Sequence, residues 1–283
     1  MVNRITKYTA ALAAIIIITG TPLTAGPKLE LGTGQGINGI VLAVAASGAL
    51  NEWAFTIPLV PLFMITGIYS PYFIQEQYGL TSPEAGLINF GSLSGIGAGA
   101  ALAETLSVSG RDTGGYIFLS DSLFTVSAAA YAFNREYELT EGDLSLIISA
   151  TVFSSITTAL TANAFSPGMN SRSNALALLT GGTAGLAASV IMTDSLDWSR
   201  RRVLVMDMCI AGGGLTGLGF AKLFKLSERP KFFTAVITMA GGAAAGYYLT
   251  EGFAPEAKPR LQTGADGRSA EKTINFTMLQ RSF

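Results

Sequence analysis

A single carboxylate, Asp121, stands in the middle of the apolar run GGYIFLSDSLFTVSAAAYA, with Ser120 and Ser122 beside it. A carboxylate so placed is costly in a membrane and marks a proton or cation site by default. The two serine hydroxyls would line that site. The competing reading is a hydrogen-bonded structural residue, or a helix boundary closer to Asp121 than the apolar run implies. Two more carboxylates fall within or beside apolar segments. Asp207 lies five residues beyond Arg202, and Glu104 lies near a segment end. Either can reach an interface or pair with a base.

Little other chemistry is available. The sequence has no histidine, which removes Ser-His-Asp and Cys-His catalysis and most zinc sites. Its one cysteine, Cys209 in VLVMDMCIAGGG, cannot form an internal disulfide and reads as a small core residue. GQGING (Gly34, Gly36, Gly39) matches the dinucleotide-binding pattern, but only KLEL precedes it and no second strand follows. Helix packing accounts for those glycines better than a pyrophosphate does. Arg200, Arg201 and Arg202 follow Trp198, a grouping that suits anchoring at a membrane interface or an anionic lipid headgroup. The net charge of −1 offers nothing to nucleic acid. No motif asks for a cofactor or a metal.

The elements that would hold these residues are apolar and long. Charged residues make up 13% of the 283, against about 25% in soluble domains, and the mean hydropathy is +0.43. Breakers and charges divide the chain into apolar segments at roughly 34–51, 53–75, 84–105, 114–133, 142–164, 173–193, 202–224 and 231–250. About 20 such residues cross a hydrocarbon core of about 30 Å. Short loops between them make neighbours antiparallel.

The segments pair into a repeat. LTSPEAG begins at Leu80, LTEGDLS at Leu139 and LDWSRRR at Leu196, offsets of 59 and 57. The second member of each pair starts near a basic residue, Arg111, Arg172 or Arg229, and Thr193 and Thr250 recur near the far ends. Such periodicity marks a stacked supersecondary unit. Three helical hairpins span 79–251, and a divergent first hairpin is expected over 26–78. Pro58, Pro61 and Pro71 should kink or break its second helix.

Glycine spacing fits the same picture. Gly91, Gly95 and Gly99 stand four apart, as do Gly181 and Gly185, Gly213 and Gly217, and Gly242 and Gly246. Each glycine costs a helix interior about 1 kcal/mol relative to alanine. In lipid, small-xxx-small spacing offsets that cost by letting backbones approach. Bulky residues such as Ile147, Ile148, Val152 and Phe153, or Phe232, Phe233 and Ile237, would then meet lipid. A tightly packed soluble helical repeat competes with this reading, because SATVFSSITTALTAN is rich in hydroxyls. An outer-membrane barrel competes more weakly. Ile274, Phe276 and Met278 alternate only briefly before the terminal Phe283.

The ends of the chain differ from its middle. Residues 1–25 carry Arg4 and Lys7, an apolar run and a small-residue site at Thr24-Ala25, the pattern of a signal peptide or an N-terminal anchor. Residues 252–283 form a polar tail, flexible to about Ala270. The turns within hairpins hold six basic and two acidic residues, and the connections between hairpins hold four basic and eight acidic. Counting Lys and Arg alone, the turns face the cytoplasm.

These residues imply an all-α integral membrane bundle of repeated antiparallel hairpins in a bacterial envelope, in the inner rather than the outer membrane. Its expected role is non-enzymatic, as a structural or assembly subunit contacting lipid and either its own copies or a partner membrane protein. The alternative is an ion or small-solute transporter or channel with Asp121 in the pathway.

Overall fold

Eight helices form the architecture of the computed structural model, which describes residues 27–49, 56–108, 111–135 and 137–258. They are α1 (Pro27–Ala49), α2 (Thr56–Tyr78), α3 (Ser82–Leu106), α4 (Arg111–Phe133), α5 (Glu141–Phe165), α6 (Ser171–Thr193), α7 (Arg200–Leu223) and α8 (Glu228–Leu249). The six from α3 to α8 are long and apolar enough to cross a membrane, which is compatible with a multi-pass membrane protein. The apolar stretches of α1 and α2 are shorter, Leu31–Ala46 and Leu59–Tyr69. The expected signal or anchor over 1–25 lies outside the described residues, as does the tail from 259 onward.

Local chemistry explains the helix starts. The LT motifs are capping signals. The Thr81 amide donates to Glu84 Oε2 at 2.8 Å. Thr140 and Asp143 exchange two hydrogen bonds of 3.1 Å each, a complete capping box. Leu80 and Leu139, one residue before each cap, are both buried. The third start departs from the sequence reading: the cap is Ser199, three residues after Leu196, so the caps at Thr81, Thr140 and Ser199 are evenly spaced by 59. Gly168, at φ +84°, makes the left-handed turn between α5 and α6 that a side chain would strain.

At the first pair, the start of one helix and the continuity of the other differ from a reading in which the segment begins at 34 and the prolines break its partner. Helix α1 begins at Pro27, ahead of the expected residue 34, so GQGING lies inside a helix and forms no strand-to-helix phosphate loop. Helix α2 runs unbroken through Pro61 and Pro71. Pro58 sits in its first turn, where no amide bond is lost.

Consecutive helices pack most closely, α1 with α2, α3 with α4, α5 with α6 and α7 with α8. Facing residues show that each pair is antiparallel: Gly91 meets Ala128, Gly95 meets Asp121 and Gly99 meets Ile117. Between pairs, α1 touches α3 and α4, α3 touches α5 and α6, and α5 touches α7 and α8. The odd-numbered helices thus form a connected row, and α4, α6 and α8 each lean on the odd helix of the preceding pair.

Helix α5 is therefore central, which corrects one expectation. Ile147, Ile148 and Val152 do not face outward but are buried, the first two in a cluster with Leu87, Phe90, Ala132, Leu139 and Leu144. Exposed apolar residues include Leu119, Leu123 and Val126 of α4, Ile191 of α6, Leu215 of α7 and, as expected, Ile237 of α8, with Ile37 of α1 and Leu62 and Phe73 of α2. The α4 residues follow helical spacing and form a stripe with no charged side chain. A helix that is apolar on its outer face as well as its inner one fits lipid rather than water.

Candidate functional site

Asp121 is 6% exposed, and its Oδ1 accepts a hydrogen bond from the Ser92 hydroxyl of α3. The site is therefore not built as the sequence suggested. Ser122 turns back along its own helix and donates to the Phe118 carbonyl at 2.9 Å. The partner comes from across the interface, next to the glycine face that admits it. A Cβ built on Gly95 would lie 2.5 Å from the Asp121 Cα, so Gly95 lets α4 bring its carboxylate within reach of Ser92.

A second pair repeats this chemistry elsewhere. Asp207 Oδ2 of α7 accepts from Ser149 Oγ of α5 at 2.5 Å. The sequence offered Asp207 an interface or a base, and the partner is a serine at an interface. Nothing local to Ser149 marks it as that partner, since the pairing depends on how α5 and α7 meet. Glu104 is exposed on the last turns of α3. The three carboxylates do not converge, and among the described residues no group of three His, Cys, Asp or Glu side chains could hold a metal ion.

All nine glycines singled out by spacing face the antiparallel partner helix. Those of α3 (Gly91, Gly95, Gly99) lie against Phe124, Ala128, Ser120, Asp121, Tyr116 and Ile117 of α4. Gly181 and Gly185 of α6 lie against Ser154 and Ala150 of α5. Gly213 and Gly217 of α7 lie against Thr238 and Thr234 of α8, while Gly242 and Gly246 of α8 lie against Cys209 and Met206 of α7. At each of the nine, an added Cβ would come within 3.0 Å of the facing helix. In contrast, Gly97, Gly212, Gly219 and Gly241 face open space.

The two ends of the bundle are tied differently. At one end, basic residues that open the even helices reach the final carbonyls of an earlier odd helix. Arg172 Nε donates to the Thr105 carbonyl of α3. Arg229 donates to the carbonyls of Ala164 at 3.2 Å and Phe165 at 3.0 Å in α5. Cations favour this end of a helix.

At the other end lies a buried ionic cluster. Asp143 is 1% exposed; it accepts from Lys258 Nζ at 3.1 Å and faces Arg135 at 4.0 Å. Arg135 also pairs with Asp194 at 3.4 Å and donates to the Tyr131 hydroxyl, and Lys258 pairs with Asp197 at 3.3 Å. The Lys258 ammonium further donates to the carbonyls of Thr193 and Leu196. Glu256 accepts from the Gly142 amide at 3.0 Å. The polar tail expected from 252 is thus docked on the bundle as far as Lys258. Its composition hid this, because Lys258 reads as a solvated charge until Asp143 and Asp197 are brought beside it.

No protein-family model, curated protein or solved structure matches the chain.

Proposed function

We propose that this chain is a non-enzymatic, multi-pass structural or assembly subunit of a bacterial envelope complex, with stacked helical hairpins as its unit. The observation that carries this reading is the seam of α3 and α4. There the mid-span carboxylate Asp121 meets a neighbouring hydroxyl at a point where glycine leaves room for the facing backbone. Polar atoms in the apolar layer are used to join helices, and Ser149 with Asp207 does the same between α5 and α7. The even spacing of Thr81, Thr140 and Ser199 supports a repeated unit. The glycine faces are the packing surfaces of that unit, and the outward apolar stripes contact lipid, other copies or a partner membrane helix.

The test is fractionation with an alkaline carbonate wash, followed by separation of inner and outer membranes. The chain should stay in the inner-membrane pellet after the wash. Release into the supernatant would remove the membrane reading and the role built on it.

A second reading has its own support: two carboxylates, Asp121 and Asp207, lie within apolar spans, each with one hydroxyl donor. A proton or cation pathway would use such groups. Asp121→Asn retains a hydrogen-bonding side chain but removes the charge. It should abolish ion flux across proteoliposomes if Asp121 lines a pathway, and leave folding and assembly intact if it serves the seam.

A further inference from the structure

At the ionic end of the bundle, Arg201 and Arg202 differ from Arg135, Arg200 and Lys258 in lacking a carboxylate partner among the described residues. Arg135 and Lys258 are held by Asp143, Asp194 and Asp197, and Arg200 pairs with Glu141 at 3.5 Å. Among the described residues, neither Arg201 nor Arg202 makes an ion pair. Their guanidinium groups rest on aromatic faces. The Arg202 Cζ is 4.7 Å from the centre of the Trp198 ring and 5.3 Å from that of Tyr247. The Arg201 Cζ is 5.1 Å from the centre of the Phe253 ring. Stacking orients the two guanidinium planes, and Arg202 Nε is buried without a partner.

The place of these groups selects the ligand. Arg201 and Arg202 lie in the first turn of α7, which is apolar enough to span the membrane, and Tyr247 lies in the last turn of α8. Trp and Tyr at span ends sit at headgroup depth. The N-cap Ser199 makes no side-chain hydrogen bond to the first-turn amides, whereas Thr140 does so at the start of α5. Two guanidinium groups held beside a helix start match a phosphate anion. We propose that Arg201 and Arg202, framed by Trp198, Tyr247 and Phe253, bind the phosphate of an acidic phospholipid in the leaflet at this end of the bundle.

This inference rests on the membrane reading, and its test separates the two. The full chain is purified in neutral detergent. It is titrated with phosphatidylglycerol, phosphatidylcholine or inorganic phosphate, with thermal stability as the readout. Phosphatidylglycerol should stabilise the wild type, and the other two should not. Each cation near a membrane surface is worth about fivefold in affinity, so R201Q/R202Q should weaken phosphatidylglycerol binding about 30-fold. The single variants R201Q and R202Q, each expected to lose about fivefold, give the same readout if the pair does not fold. K222Q/K225Q removes equal charge at the opposite end and should cost much less. Equal losses in both double variants would overturn the site as diffuse attraction. Stabilisation by inorganic phosphate alone would overturn the lipid as ligand. Absence of phosphatidylglycerol preference in a chain that resists carbonate extraction would sink this site while leaving membrane integration intact.

Discussion

Lys258 Nζ lies 3.1 Å from Asp143 Oδ1, which ties the end of the described chain to the first turn of α5. Asp143 is also the acidic partner of the Thr140 capping box, so one carboxylate closes a helix start and anchors the segment after α8. Removing one member of a buried ion pair leaves the other charge uncompensated and costs about 3–5 kcal/mol. Lys258→Met should therefore lower the thermal unfolding midpoint in detergent markedly, and Lys258→Arg should recover part of the loss. An unchanged midpoint for Lys258→Met would show that Arg135 alone balances Asp143.

Ser149 and Asp207 join α5 to α7, and hydrogen bonds of this kind between membrane helices average about 0.6 kcal/mol. Ser149→Ala should destabilise by about that amount. Asp207→Asn keeps an acceptor and should cost no more, whereas Asp207→Leu adds bulk where the hydroxyl sits and should cost more than either. Unfolding followed by tryptophan fluorescence, using Trp198 near the start of α7, checks the order of the three.

Arg229 covers the last carbonyls of α5 from the exposed start of α8. Because the contact is solvent-facing, its worth is set at roughly 0.3–1 kcal/mol and should fade as salt is raised. Arg229→Gln should speed amide hydrogen exchange in the last turn of α5 without altering its first turn. Arg172→Gln should do the same at the end of α3, where Arg172 donates to Thr105. Uniform exchange along both helices would remove this role from the two arginines.

Much of the architecture is legible from local chemistry. The capping signals Leu80-Thr81 and Leu139-Thr140 announce two helix starts, and apolar length marks α3 to α8. The four-residue glycine spacing marks faces that a neighbouring helix approaches, because a missing Cβ has the same consequence wherever the helix sits. What escaped the sequence depends on contacts between distant elements. Ile147 and Ile148 look like lipid-facing bulk until α5 is known to lie between α3 and α7. Ser92 and Ser149 resemble many other serines, and only helix register selects them as partners of Asp121 and Asp207. Lys258 hid in a polar stretch whose composition suggested a free tail. The third repeat's offset reads as 57 rather than 59 because Leu196 resembles Leu80 and Leu139 in sequence but precedes its cap by three residues.

The proposed role of glycine, to let facing backbones approach closely, has its own control in α3. Gly95 faces the Asp121 backbone, whereas Gly97, two residues on, faces open space. The measurement is the thermal stability of Gly95→Leu and Gly97→Leu side by side in the same detergent. Gly95→Leu should lose at least about 1–3 kcal/mol, the usual cost of forcing bulk into a packed seam, or fail to fold. Gly97→Leu meets open space and removes a helix-interior glycine, so it should keep the wild-type stability or gain up to about 1 kcal/mol. Equal stability of the two variants would contradict the claim that α3 and α4 are held together through that glycine face.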